Sequence, residues 1–418
     1  MSDHQAKILP GLRALDLTDE RGLLCGKVLG DLGVDVIKVE RPGGDPARNI
    51  GPFYHDIPHP ERSLFWFAFN TNKRGITLNI ETQDGKLLFR RLARSADFVI
   101  ESLPPGYLDK LGLGYPELAE INPKIIMTSI TPFGQSGPYR DYKASDIVVM
   151  ALGGYMYLCG DPDRPPVRFG CPQAYLHASM SAAVATLAAY NYREATGEGQ
   201  HVDVSAQAST VGSTGDALHF WNERQLTVRR GGSLRLKVAT GSQQRMVWPC
   251  QDGYVGFAVH GSRMAKNYTT PMVAWMESEG MAPDFLRKID WEAFDINMVS
   301  REELDRIQEP IGRFLLSRTK AELSEEAVKR RIILYPVSSS KDLLEDRQLG
   351  ARDFWEEVEH PELGAAITYP GPFTKASGTS CGIRRRPPLI GEHNLEILGD
   401  ELGLSREELT TLKQVGAI

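Results

Sequence analysis

The chain has few cysteines and no pattern among them. Cys25, Cys159, Cys171, Cys250 and Cys381 form no CxxC pair and sit at no Cys/His spacing that suits a zinc site. An odd, scattered set gives no disulfide framework either, so a reducing compartment, the cytoplasm, is expected. No apolar run reaches the roughly 18 residues a membrane-spanning helix needs, and the opening MSDHQAKILPGLR carries no apolar signal segment. Membrane association is therefore not expected. Positive charge is not in excess: the formal net charge is −6, which gives no reason to expect nucleic acid as a partner. The first strand-like segment is followed by TDERGLLCG rather than GxGxxG, so a dinucleotide held in the usual Rossmann manner is disfavoured. Neither an internal repeat nor a low-complexity segment occurs. What remains is a globular composition, 41% hydrophobic and 24% charged, on 418 residues, long enough for two domains.

The first 135 residues alternate two hydrophobic periods. LRALDL (Leu12 to Leu17) reads as a buried strand, RGLLCGKVLGDLG places apolar residues at helical spacing, and VDVIKVE (Val34 to Glu40) reads as the next strand. ITLNI, the helix GKLLFRRLARSA, DFVIES and KIIMTSI repeat that rhythm. Short βαβ connections imply parallel pairing, so an α/β fold with an open, doubly wound parallel sheet is expected. Ligands of such sheets sit at the carboxyl ends of strands, which singles out Asp19, Arg41, Ser102 and Thr131. Residues 173–195 read as an Ala- and Ser-rich helix closed by Thr196-Gly197. The hairpin-like QDGYVGFAVH and the helices after it read as a smaller α+β domain. The expected division is a large α/β domain over 1–205, a small domain over 225–330, and a return to the large domain over 345–418.

Blocks in order along nearly the whole chain carry a resemblance. They are GLRALDLT…GKVLGDLGVDVIKVERPGGDPAR, FNTNKRGITLNIETQDGKLLFRRLARSADFVIES, PPGYLDKLGLGYPELAEINPKIIMTSITPFGQSGPY, EEVEHPELG and RPPLIGEHNLEIL. Together with PPVRFGCPQAYLHASMSAAVATLAAYNYREATGEGQH they resemble the family III CoA-transferases (CaiB/BaiF). The resemblance implies a Rossmann-like large domain and an interlocked dimer whose partner is a paralogous subunit or a second copy of the chain. It implies acyl-CoA and a carboxylic acid as substrates, with no tightly bound cofactor and no metal. Carried over position by position, it assigns CoA binding to Arg41, Lys73, Arg74, Lys110, Ser102 and Leu103. Arg and Lys suit the CoA phosphates because each presents fixed positive charge and hydrogen-bond donors.

The departures bear on chemistry. The family's nucleophile is an aspartate just before the Ala-rich helix, which takes the acyl group as a mixed anhydride. Counting back from Thr196-Gly197 places that position at Tyr175, or at Ala174 with a one-residue shift. Neither is a carboxylate, and a phenol would form an ester too stable to turn over in the same way. The racemase branch lacks its groups as well, since Lys143-Ala144-Ser145-Asp146 has Ser145 where that branch has His. A flexible glycine lid is replaced by GGSLRLKVATGSQQ. His177 and Asp146 are the candidate substitutes. The first is otherwise a hydrogen-bonded structural residue, the second a helix N-cap. Cys171 has no supporting pattern, and Asp161-Pro162-Asp163 reads as a surface turn.

Three functions fit. The chain is a subunit of a heteromeric family III CoA-transferase, of the succinyl-CoA:benzylsuccinate type, that lacks the nucleophile. Alternatively it is a homodimeric acyl-CoA enzyme with altered chemistry, isomerase-, racemase- or hydrolase-like, or an acyl-CoA-binding protein without chemistry. Tyr155, Tyr157, Phe169, Tyr175 and Trp221 are the aromatics that suit an aromatic acid.

Overall fold

The computed structural model describes residues 6–237 and 240–418. Contacts divide the chain into two units. One comprises residues 1–156, 168–218 and 347–418, the other 157–167 and 219–346. The second unit contains the 225–330 expected and extends beyond it, over 219–346 and the separate segment at 157–167.

The first unit is built on β1 (Arg13–Leu17), β2 (Asp35–Glu40), β3 (Lys73–Thr77), β4 (Phe98–Glu101), β5 (Ile126–Thr131) and β6 (His201–Ser205). These form one sheet in the order β3-β2-β1-β4-β5-β6, parallel throughout. Its helices include α1 (Leu23–Leu32), α2 (Leu64–Asn70), α3 (Gln83–Ala93), α4 (Tyr107–Leu111), α5 (Tyr115–Ile121), α6 (Asp146–Leu152), α7 (Gln173–Thr196) and α8 (Ala206–Gly212). Alternate strand residues feed two cores. Ala14, Phe98, Ile100, Ile126 and Ile130 pack under α1 and α7, while Leu15, Val99 and Met127 pack under α3 and α5. Helices on both faces make the sheet doubly wound, as expected. The strand order reverses between β1 and β4, so their carboxyl ends open the crevice where such sheets bind ligands.

β3 begins earlier than the sequence suggested. It pairs with β2 from Val36↔Lys73 to Glu40↔Thr77, so KRGIT rather than ITLNI is the strand. Lys73 is thereby fully buried, its Nζ 2.8 Å from Asp16 Oδ2 and 2.9 Å from the Leu23 carbonyl. Gly26 of α1 lies directly on this pair; a side chain there would overlap Asp16 Oδ2. Burial opposes the Asp16 charge, but Lys73 and Lys38 beside it prevail and hold its carboxyl below the usual range. A second buried group joins Arg48 to Glu40 (2.6 Å) and Glu61 (2.6 Å), with the guanidinium 3.8 Å above the Trp66 ring.

Segments from residues 382–401 return to this sheet. The His393 N–H donates to the Gly75 carbonyl, and Asn394 Oδ1 accepts from the Thr77 N–H at 2.9 Å. Glu396 and Glu401 lie 2.7 and 2.5 Å from Arg74.

The second unit is α+β. Tyr335–Pro336, Gly253–Gly256 and Val247–Cys250 form an antiparallel sheet, and Leu234–Leu236 pairs with Gln243–Arg245. Trp248, Trp275 and Phe314 fill its core beneath the helix Arg301–Leu316. Two residues of GGSLRLKVATGSQQ, Val238 and Ala239, lie outside the described residues.

Candidate functional site

Two cavities of the first unit flank the loop that follows β1. One, about 250 Å³, is lined by Asp19, Val39, Arg41, Pro46, Leu103 and Tyr107 among others. The other, about 110 Å³, is lined by Glu20, Leu24, Phe65, Phe69, Cys171, Tyr175 and Ser179. Successive residues, Asp19 and Glu20, thus face different cavities.

The loop is held by the carboxyl end of β4. The Asp19 N–H donates to Ser102 Oγ at 2.9 Å, and Ser102 Oγ donates back to Asp19 Oδ1 at 2.8 Å. Arg21 Nε donates to Asp19 Oδ1 at 2.8 Å, and its second nitrogen closes the pair on Oδ2. Burial opposes the Asp19 charge, yet the bonds from Arg21 and Ser102 prevail and hold its carboxyl below the usual range. Glu20 goes the other way: burial, then the neighbouring Asp19 charge, raises it. Ser179 of α7 donates to the Arg21 carbonyl at 3.2 Å, which ties the loop to the start of that helix.

An α-helix leaves its first four N–H groups without intrahelical partners. The N-cap residue of α7 is Pro172, which offers no side-chain acceptor. Asp146 supplies one instead. Its Oδ1 accepts the N–H of Ala174 at 2.8 Å and of Tyr175 at 3.4 Å. Ser145 is the N-cap of α6, and Asp146 caps α7, the helix-capping role that stands beside its candidacy as a substitute acid. Burial raises its carboxyl, and those backbone donors oppose the rise without overcoming it. Tyr175 is 5% exposed, and its hydroxyl donates to the Ala144 carbonyl at 3.1 Å. Burial pushes that phenol up to about 12, so it stays protonated at neutral pH. Tyr175 is therefore neutral and hydrogen-bonded, with a carboxylate from another helix beside its backbone.

The other expected residues separate into groups. Arg41 is exposed at the rim of the larger cavity, bonded to Glu81 at 2.9 Å and to the Tyr107 hydroxyl at 3.1 Å. Leu103 lines that cavity, Ser102 lies beneath it, and Lys110 is exposed on α4. Lys73 and Arg74 are turned inward, which corrects the expectation that they meet phosphate. Lys73 has no exposed surface, and Arg74 is 8% exposed and saturated by Asp35, Glu396 and Glu401. His177 Nδ1 lies 3.1 Å from Ser213 Oγ, with its ring 6.0 Å from that of Tyr155, and Tyr155 is in turn 5.7 Å from Phe169. Tyr157 and Trp221 belong to the second unit. Cys171 is exposed at the edge of the smaller cavity. Among the described residues no cluster of His, Cys, Asp and Glu could hold a metal ion, and no helix is long and apolar enough to cross a membrane. Sequence reasoning passed over Arg21 and Glu20. The signal was their place in Thr-Asp-Glu-Arg, directly after the first strand.

Residues 9–394 match the model of CoA-transferase family III. The chain is 37% identical over 413 residues to succinyl-CoA:(R)-benzylsuccinate CoA-transferase subunit BbsE of Thauera aromatica, with 97% of each chain covered. It is 31% identical to the formyl-CoA:oxalate CoA-transferase of Streptomyces avermitilis, over 99% of this chain and 100% of the relative. It is 29% identical to the succinyl-CoA–L-malate CoA-transferase beta subunit of Chloroflexus aurantiacus, over 97% of this chain and 96% of that one. Among solved structures, a CaiB/BaiF family protein from Brucella suis superposes with a TM-score of 0.81 at 29% identity, covering 95% of this chain and 100% of that chain.

Proposed function

The chain belongs to CoA-transferase family III, and on that premise we propose that it is the subunit of a heteromeric CoA-transferase that lacks the nucleophile. Its donor is succinyl-CoA and its acceptor a carboxylic acid with an aromatic body. The observation that carries this reading is Tyr175: the residue at the nucleophile position is buried, neutral and engaged with the Ala144 carbonyl. Two of the relatives are named as subunits of transferases that take succinyl-CoA, which supports a heteromer. In this reading the partner chain, interlocked with this one in a cytoplasmic dimer, supplies the aspartate. That carboxylate attacks the thioester carbonyl, the C–S bond breaks, and the electron pair leaves with the CoA thiolate. Arg41, Ser102, Leu103 and Lys110 bind CoA here, around the larger cavity.

The test is purification from the native host with intact-mass analysis, followed by a transfer assay. A stoichiometric second chain with aspartate at the matching position is expected. This chain alone is expected to bind CoA and transfer nothing from succinyl-CoA to benzylsuccinate. A homodimer that turns over alone overturns the reading. A second reading, a homodimer with altered chemistry, is favoured by Asp146, whose raised carboxyl sits at the N-terminus of α7. Loss of turnover in an Asp146→Asn homodimer would establish it.

A further inference from the structure

The far side of the sheet from α7 carries a cavity of about 360 Å³ that the proposed reaction does not use. Its lining includes three side chains from adjacent strands. Glu101 closes β4, Ser129 lies directly opposite it in register on β5, and His201 opens β6, opposite Met127. Ser129 Oγ is 2.9 Å from His201 Nε2. Glu101 itself is 4% exposed and reaches the wall of this cavity. Its Oε2 accepts the Leu103 N–H at 2.6 Å. Leu103 lines the cavity beside Arg41, and Ser102 holds Asp19.

We infer that Glu101 is a positioning residue for CoA binding, and that the charge of its carboxylate sets its grip on the Ser102–Leu103 turn. The inference rests on the reading of the cavity beside Arg41 as the CoA site. The ionised carboxylate holds the Leu103 N–H by a charge-assisted bond; the protonated one holds it as an ordinary acceptor.

Charged and titratable groups surround Glu101 on every packed element. Arg21 and Asp19 face it from the loop after β1. Asp203 and Asp109 act on His201, the Tyr115 ring stacks on that imidazole at 5.8 Å, and Tyr107 and Arg140 complete the cavity wall. Burial raises Glu101 to about 7, with the bonds from Ser129 and Leu103 and the Arg21 charge opposing it. Burial lowers His201 against the pull of Asp203 and Asp109. Glu101 therefore exchanges its proton near neutrality.

The experiment measures CoA binding by calorimetry across pH, for the full chain and for Glu101→Gln, whose amide mimics the protonated acid. The difference between the two proteins cancels titration of CoA's own phosphate. Wild type is expected to bind about tenfold more tightly than Glu101→Gln well above pH 7 and equally at acid pH. Ser129→Ala, which removes a group that lowers the Glu101 carboxyl, moves the crossover upward in pH and serves if Glu101→Gln does not fold. Parallel pH profiles for wild type and either variant overturn the inference. Absence of CoA binding at every pH, in wild type as well, overturns the functional reading beneath it.

Discussion

The Asp146 carboxylate accepts the backbone N–H of Ala174 at 2.8 Å, so the start of α7 is capped from a different helix. Removing the acceptor by Asp146→Ala is expected to cost about 1 kcal/mol. The charge has the opposite effect. Burial places the folded-state carboxyl above its ordinary value, so the ionised form costs stability above that folded value, and the cost fades as pH falls through it. Asp146→Asn keeps an acceptor oxygen and discards the charge, and it is expected to match wild type within about 0.5 kcal/mol at neutral pH. Denaturant unfolding of both variants checks the pair.

Tyr175→Phe removes the bond to the Ala144 carbonyl and nothing else. The expected result is a stability loss of about 1 kcal/mol with transfer by the assembled enzyme unchanged. A fall of about tenfold or more in kcat would make the hydroxyl a reacting group.

Arg41 and Lys73 are expected to fail in different ways. Arg41→Gln removes an exposed charge at the cavity rim and is expected to weaken CoA binding several-fold, more so at low salt. Glu81→Gln frees the same guanidinium from its present partner and is expected to tighten binding. Lys73→Met leaves the Asp16 charge buried and unpaired, at a cost of about 3–5 kcal/mol. Calorimetric titration and thermal melts on the three variants separate binding from stability.

Glu101 ties stability to pH. Its carboxyl stands at about 7 in the fold against an ordinary 4.5, so the folded state binds the proton more tightly. Stability from this group is therefore greatest below the ordinary value. It is lost as pH rises through about 7, at a cost on the order of 3 kcal/mol in alkaline solution. Glu101→Gln is expected to raise Tm at pH 8 and to change it little near pH 4.5. The residue proposed to sharpen CoA binding is thus one whose neutral replacement makes a sturdier protein, a trade found where function requires a buried charge.

The sequence makes the opening β1–α1–β2 unit plain, because short apolar strands flank a helix closed by Gly33 in the left-handed region at φ 111°. It marks the end of α7 just as well, where Gly197 takes the same conformation at φ 83°. It misleads at Lys73 and Arg74. Adjacent cations read as solvated or ligand-facing, whereas their counter-charges, Asp16, Asp35, Glu396 and Glu401, lie 39 or more residues away in the chain and no local pattern reveals them. Asp146 reads as a helix cap, but which helix it caps is hidden for the same reason: the donors stand 28 and 29 residues on. Glu101, Ser129 and His201 are unremarkable until strand register sets them side by side.

The return of residues 382–401 onto β3 has a consequence for synthesis. Arg74, Gly75 and Thr77 receive partners that leave the ribosome some 300 residues after them (|i−j| 317 to 327 for the bonds to Asn394, His393, Glu396 and Glu401). Until then the nascent sheet has an open edge at β3 and an Arg74 without Glu396 and Glu401, a template for wrong pairing. The second unit is nearly continuous in sequence, at 219–346, and emerges whole in the interval. The smaller body can therefore form on the ribosome first, while the sheet that carries the site is completed only when the late segment arrives.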